Sequence, residues 1–348
     1  MHATQKECTL STTAGKPEVS IIIPFYNLEG TIARCLDSVL AQTYRDYEVV
    51  CVDDGSSDAT GILLDEYAAA HEQIVVIHKP NGGLSDARNT GVRESSGRYI
   101  SFIDGDDFVS PVYLESLVSA MDGKENRLVI GKAASVPETA VDAYRFGLSG
   151  DDEARPANRH QVSAEILAKQ IPTLAQAKLF VRDYYEEHPF PLGVRYEEVR
   201  TIGTLVSCAD DYRIVDAPIY GYVLREGSIV RAKNASAAQA VEYMDAIQIA
   251  VETFRALEPD LVCERAFFRA LMYTRVHDFT LRINDVEHAR MIEEIAQKAV
   301  SDSFRPAMQC GLASVSQKAR VALYRANPHV YDQAMSAYNS KVKGFAAE

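Results

Sequence analysis

Three carboxylates crowd one short stretch of the chain, Asp104, Asp106 and Asp107, with Gly105 between the first two. They follow directly on the apolar run 99–103 (Tyr-Ile-Ser-Phe-Ile), whose aromatic and β-branched content reads as a buried central strand. Carboxylates this close repel one another unless a cation neutralises them. An open α/β sheet holds its ligands beyond the carboxyl ends of its strands. The pattern predicts a divalent-metal site at a sheet edge. The alternative is a solvated acidic turn that caps the next helix.

The surrounding pattern supplies the elements needed to position such a site. Residues 19–23 are an apolar β run closed by Pro24, and 30–42 carry Ile32, Cys35, Leu36, Val39 and Leu40 at helical spacing. A second strand over 47–52 ends in Asp53-Asp54-Gly55-Ser56-Ser57-Asp58, and a helix with Leu63, Leu64, Tyr67 and Ala68 follows. A third strand, 74–78, leads into Pro80-Asn-Gly-Gly83. Ser85-Asp86 then predict a helix start, as N-cap and first-turn acid. After the 99–103 strand, Ser110-Pro111 carry the N-cap and N1 signature of a helix facing inward through Leu114, Leu117, Val118 and Met121, and 128–130 predict one more strand. Strict β–α alternation over 18–131 implies a mostly parallel sheet with helices on both faces. The loops 24–29, 53–58, 79–85 and 104–110 then converge on one edge, and all four are rich in Asp, Asn, Gly and Ser.

The alternation breaks between 132 and about 165, where 149–156 predict a mobile loop. Ordered signals return at 174–181, 189–191, 195–199 and the apolar 201–206, and 212–215 and 219–223 read as strands. Beyond 233 the pattern is helical. One stripe is Met244, Ile247, Val251 and Phe254, a second Phe267, Phe268, Leu271 and Met272, a third Ile292, Ile295 and Ala299, with shorter helices near 313–326 and 329–342. These predict a helical appendage packed on itself and on the preceding domain; a dimer surface or a membrane-associating face is the alternative. The expected division is a flexible tail over 1–17, an α/β domain over 18–232 in two halves (18–131 and 132–232), and a helical region over 233–348.

With 348 residues and 47% apolar content, the chain can bury a full core. A net charge of −13 argues against nucleic acid as a partner and against a generally basic membrane-surface protein. It also means that a phosphate-bearing ligand needs local help from a metal or placed arginines. The six cysteines lack metal or disulfide spacing and read as reduced thiols of a cytoplasmic protein. The polar first 17 residues lack the apolar core of a signal peptide, and no run approaches the ~18 apolar residues of a spanning helix.

A nucleoside diphosphate sugar has parts that match this edge. Asp53 or Asp54, at the end of the second strand, can accept from a uracil edge. Asp104 and Asp106 can hold Mg²⁺ or Mn²⁺, hard cations that suit carboxylates and a diphosphate together. Such an ion would stabilise the departing diphosphate.

Five ordered segments sharpen this reading: Val19-Ser-Ile-Ile-Ile-Pro-Phe-Tyr-Asn27, Ser38-Val-Leu-Ala-Gln-Thr-Tyr44, Val52-Asp-Asp-Gly-Ser-Ser-Asp58, Asn81-Gly-Gly-Leu-Ser-Asp-Ala-Arg-Asn89 and Phe102-Ile-Asp-Gly-Asp-Asp107. Together they resemble the family 2 glycosyltransferases. A weaker resemblance continues through Ala177-Lys-Leu-Phe180, Arg195-Tyr-Glu-Glu-Val199 and Tyr222-Val-Leu-Arg-Glu-Gly-Ser-Ile229, so it covers roughly residues 18–230 and leaves out the C-terminal helices. It implies a GT-A fold and an inverting, metal-dependent enzyme that uses a nucleotide sugar. Pro24, Tyr26 and Asp54 would border the base with Asp53 beside them. Asn81 and Arg88 would contact the nucleotide or donor sugar. Asp104 and Asp106, flanking Gly105, would form the metal and donor corner, with Asp106 the more direct ligand and Asp107 capping the following turn. Arg225 and Ser228 would close over the diphosphate.

The same resemblance places the catalytic base in Glu197-Glu198. Family members usually show Glu-Asp here, with the Asp as base; this chain has Glu-Glu, so Glu198 takes that position and Glu197 is the fallback. Inversion by direct displacement needs one carboxylate to take the acceptor's proton. One extra methylene lengthens the reach by about a bond, and a ~1 Å misplacement is costly. The expected activity is transfer from a UDP-sugar to a hydroxyl of a glycan, a lipid-linked saccharide or another cell-surface precursor, in the cytoplasm or at the inner face of the plasma membrane. The rival is a non-catalytic binder of nucleotide sugar or glycan with the same fold.

Overall fold

The computed structural model describes residues 15–147, 154–225 and 235–345. Residues 1–14 of the expected 1–17 tail, most of the 149–156 loop and Ser228 lie outside the described residues.

The amino-terminal half is the predicted βα alternation: β1 (Val19–Phe25), α1 (Ile32–Leu40), β2 (Tyr47–Asp53), α2 (Thr60–Ala70), β3 (Ile74–His78), α3 (Leu84–Glu94) and β4 (Tyr99–Phe102). Its strands run parallel in the order β3-β2-β1-β4. All seven residues of β1 are buried because both of its faces are covered. Ile21 and Ile23 pack with Ile32, Leu36 and Val39 of α1, whereas Ile22 points to the opposite cluster with Ala87 and Val92 of α3. Helix α3 lies so close to β1 that a Cβ at Gly91 would come 2.3 Å from Ile22 Cγ2.

Beyond β4 come β5 (Phe108–Val109), α4 (Tyr113–Met121), β6 (Arg127–Pro137), β7 (Arg155–Ala157), α5 (Arg159–Leu167), β8 (Lys178–Val181), α6 (Arg182–Glu187), α7 (Glu197–Ser207) and β9 (Asp211–Leu224). Strand β8 enters antiparallel between β4 and β6 and joins the parallel half to a mixed one that ends in β9 and β5. The sheet is thus parallel where the donor-side loops gather and mixed elsewhere.

Several local expectations give way to long-range contacts. Helix α3 starts at Leu84 with Gly83 (φ +87°) as its N-cap, so Ser85 is inside it. The amides of Gly82 and Gly83 are held by Asp54 from another loop, and Gly83 rather than Ser85 takes the N-cap position. Helix α4 starts at Tyr113, two residues after Pro111, with Gln42 Oε1 accepting from the Leu114 amide. The apolar 201–206 belongs to α7, and the two strands expected over 212–223 are the single β9.

The carboxyl-terminal part is helical: α8 (Ala237–Leu257), α9 (Val262–Thr280), α10 (Val286–Gln309), α11 (Val315–Ala326) and α12 (Pro328–Phe345). The inner face of α8 is Ala240, Tyr243, Ile247, Ala250 and Phe254, with Met244 and Val251 only partly covered; on α10, Ala296 is buried and Ile295 is exposed. Residues on both sides of position 233 contribute to one hydrophobic cluster, which runs from Phe102 and Ile130 of the sheet to Tyr324 and Tyr331. No helix among the described residues is long and apolar enough to cross a membrane.

Candidate active site

The acidic turn after β4 is fixed from several directions. A Cβ at Gly105 would lie 2.5 Å from the Phe25 ring, and the Gly105 carbonyl accepts from Thr31 Oγ1 at 2.8 Å, so only glycine lets the turn lie on β1. Asp107 does not cap the following turn. It is buried and accepts from Tyr220 Oη at 2.6 Å and from the Val223 amide at 2.7 Å, which ties the end of β9 to the turn. The Tyr220 hydroxyl in turn accepts from the Asp104 amide at 3.1 Å.

Asp104, Asp106 and Asp107 each offer a carboxylate oxygen within 4.8 Å of the others. Burial, then the neighbouring Asp104 carboxylate, raises Asp106 above the usual carboxylate range, and burial with Asp104 and Asp106 raises Asp107 well above it. A group of hard oxygen ligands held together against their own repulsion fits Mg²⁺ or Mn²⁺.

Among the described residues, two arginines pair with the carboxylates of this cluster. Arg225, just after β9, donates Nε–H to Asp106 Oδ2 at 2.7 Å. Arg88, on α3, has no exposed surface. It donates to Asp104 Oδ1 at 3.0 Å, Glu197 Oε1 at 2.7 Å and Glu198 Oε1 at 2.8 Å. Its guanidinium lies over the rings of Phe190 and Phe102, 5.4 and 6.0 Å from their centroids. Arg88 therefore clamps the acidic turn to the start of α7 and is not a surface cation. The neighbouring Asn89 hooks the 190 loop into place: its Nδ2–H donates to Phe190 O (2.8 Å), and its Oδ1 accepts from Phe190 N (2.9 Å).

Glu197 and Glu198 open α7 immediately after Tyr196, whose φ of +61° turns the chain sharply. The Tyr196 ring packs on Tyr243 of α8 and Phe279 of α9, with centroids 4.6 and 6.2 Å away, so the C-terminal helices brace this corner. Burial pushes Glu198 up to about 7; Arg88 opposes this, and Glu197 and Asp104 add to it. The Asp104, Asp106, Asp107, Glu197 and Glu198 carboxyls are paired with only two guanidinium groups among the described residues.

The other predicted residues lie on the neighbouring loops. Pro24 is buried in β1 and Tyr26, at its end, is 51% exposed. Asp53 accepts from the Ser56 amide (3.0 Å) and contacts His78 Nδ1 (2.9 Å). Burial acts to raise Asp53, but the Ser56 and His78 hydrogen bonds outweigh it and hold the acid below its ordinary value. Asp54 binds Lys79 Nζ at 2.5 Å and the Gly82 and Gly83 amides at 2.9 and 2.8 Å, while Asn81 Nδ2 donates to the Asp54 carbonyl at 2.9 Å. Asp54 and Asn81 thus organise the 79–83 loop. Sequence reasoning missed His78, Lys79, Asn89 and Tyr220. Lys79 carried a signal, being a cation at the mouth of an acid-lined loop; Tyr220 inside an apolar strand carried none.

The chain and its fold are similar to those of known glycosyltransferases. The model described as Glycosyl transferase family 2 matches residues 20–161. Glycosyltransferase GlyA of Streptococcus pneumoniae is 30% identical over 220 residues, 62% of this chain and 32% of GlyA. Poly(ribitol-phosphate) beta-glucosyltransferase of Bacillus spizizenii is 26% identical over 287 residues, 80% of this chain and 39% of that protein. The chain thus spans about a third of the length of these curated relatives. The crystal structure of S. aureus TarS 1–349 in complex with UDP-GlcNAc has the same fold, with a TM-score of 0.61, 18% identity and coverage of 93% of this chain and 92% of that one. Residues 20–161 are thus similar to glycosyl transferase family 2, and the relatives named here are glycosyltransferases.

Proposed function

We propose that this chain is an inverting glycosyltransferase that moves a sugar from a UDP-sugar to a hydroxyl of a cell-surface polymer or its precursor. The observation that carries this reading is the Arg88 clamp, which holds a metal-type acid cluster and a base-type carboxylate in one fixed relation. The names of the relatives support the substrate classes: UDP-GlcNAc is bound by TarS, and poly(ribitol-phosphate) is named for the Bacillus enzyme.

The chemistry is a single displacement. The acceptor oxygen attacks the anomeric carbon, the bond from that carbon to the β-phosphate oxygen breaks, and its electron pair leaves on the diphosphate. Glu198 takes the acceptor's proton. Its elevated proton affinity suits this task, since a base works best when it titrates near the working pH. Asp104 and Asp106 would hold Mg²⁺ or Mn²⁺, which supplies charge stabilisation to the departing diphosphate. Asp107, already engaged with Tyr220 and Val223, keeps the turn in shape. Arg225 is placed to exchange its Asp106 contact for the diphosphate when donor arrives.

Glu198→Gln tests the base. The amide is nearly isosteric, so donor affinity, measured by calorimetry with UDP and Mn²⁺, is expected to hold. UDP release from UDP-glucose or UDP-GlcNAc should fall about 10²–10⁴-fold. In the wild-type enzyme kcat/KM should rise with pH through about 7, as Glu198 loses its proton. Equal rates for wild type and variant across donors would favour the non-catalytic binder.

A further inference from the structure

Behind Glu198 sits a lysine that the chemistry above does not use. Lys178 opens β8 in an apolar context and is 1% exposed. Its ammonium donates to the carbonyls of Leu174, Gln176 (3.4 Å) and Pro172 (3.5 Å). These belong to the loop between α5 and β8, which turns back sharply at Ala177, a non-glycine residue at φ +54°. A buried ammonium is costly unless its donors are satisfied; here three carbonyl dipoles do so, and in return the charge folds the loop around itself.

That loop touches the candidate base twice. The Ala175 backbone hydrogen-bonds the Glu198 carboxylate. Gln176 Nε2 donates to Glu198 Oε1 at 3.4 Å, and its own Oε1 is buried without a partner, so the side chain is held in place by packing and by Glu198. Thr173, Leu174 and Ala175 also line, with Glu198, Tyr185 and Phe190, a cavity of about 20 Å³, room for about one water.

We infer that Lys178 is a positioning residue: its ammonium gathers the carbonyls of residues 172, 174 and 176 so that the Ala175 amide and the Gln176 carboxamide meet and orient Glu198. This rests on Glu198 being the base. It also bears on the extra methylene of Glu198 relative to the usual Asp. A longer side chain has one more torsion to fix, and this loop adds a second hold to that of Arg88, both on Glu198 Oε1. The charged and titratable groups that influence Glu198 are Arg88 on α3, Asp104 after β4, its neighbour Glu197, Tyr222 on β9, and Lys169 and Lys178 on either side of the loop. Lys178 and the two loop donors all favour the ionised carboxylate, so removing them raises its proton affinity.

The test compares Lys178→Met and Gln176→Leu with wild type, following Mn²⁺-dependent hydrolysis of UDP-glucose and UDP-GlcNAc from pH 5.5 to 9, a range set around the ordinary pKa values of the groups involved (about 4 to 10). For Lys178→Met, kcat at pH 7 is expected to fall about tenfold, with donor KM unchanged within about twofold, and the acid limb of kcat/KM to move up by about one pH unit. Gln176→Leu should move the limb in the same direction by less, and it decides the matter if Lys178→Met does not fold. A limb that stays put in the folded variants, with activity lost only in proportion to folded protein, would mean that Lys178 is merely structural and would overturn the inference. Glu198→Gln separates this from the reading beneath it. If that variant hydrolyses donor at the wild-type rate, or if wild type hydrolyses neither donor, the base assignment itself fails. If Glu198→Gln is inactive and the limb does not move in Lys178→Met or Gln176→Leu, only the positioning role fails.

Discussion

Replacing Arg88 with Met should cost both stability and activity. The side chain has no exposed surface and meets three carboxylates from two distant segments. Met keeps much of the apolar bulk over Phe102 and Phe190 but leaves those acids unpaired in a buried corner. Breaking a buried ion pair by removing one partner costs about 3–5 kcal/mol. Asp104 and Glu198 are partly open to water, 24% and 17% exposed at their side chains, and can relax or bind a proton, so about 3 kcal/mol is the appropriate end of that range. Urea titration would read this directly. The surviving folded enzyme should lose about 10³-fold or more in turnover, because both the acidic turn and the base lose the group that sets their spacing. Near-normal turnover in a folded Arg88→Met enzyme would mean that the clamp is only architectural.

Asp106→Ala should have the larger effect on chemistry and little effect on stability. Asp106 pairs with Arg225, 31% exposed at its side chain, so losing that contact unfolds little. Its carboxylate is nevertheless one of the oxygen donors proposed to hold the ion. Losing the ion that stabilises the departing diphosphate removes several kcal/mol of transition-state stabilisation, so Mn²⁺-dependent turnover is expected to fall about 10³–10⁵-fold. Removing the metal from wild type with EDTA should reproduce the loss, and adding it back should restore wild type alone. Metal-independent turnover in Asp106→Ala would contradict the role given to this corner.

What the sequence revealed, and what it hid, divides by distance along the chain. The run 99–103 ending in Asp104-Gly-Asp106-Asp107 is local, and both its strand character and its acidity are visible in nine residues. The loops gathering at one sheet edge follow from β–α alternation, which the structure keeps in β1 to β4. The Arg88 clamp was not legible, because its partners Glu197 and Glu198 lie 109 and 110 residues away. A cation in the first turns of a helix gives no sign of being buried. Asp54 shows the same limit. An acid at a strand end reads as open to a ligand, and its bonds to the Gly82 and Gly83 amides of another loop are announced by no local pattern. Lys178 left a faint trace as a charge within Ala177-Lys-Leu-Phe180, but its meaning depends on a backbone turn at Ala177 that no residue type announces. On the C-terminal helices the period was legible and the phase was not: Ile295 fits the stripe by spacing, but Ala296 is the residue that faces in.

The reading as an inverting transferase stands or falls on the stereochemistry of the product. Proton NMR of wild-type enzyme with Mn²⁺ and UDP-glucose or UDP-GlcNAc, recorded before the released sugar mutarotates, reports the anomer as it forms. One displacement assisted by Glu198 predicts the β-anomer from the α-linked donor, with the signal absent in Glu198→Gln. Initial release of the α-anomer would contradict it.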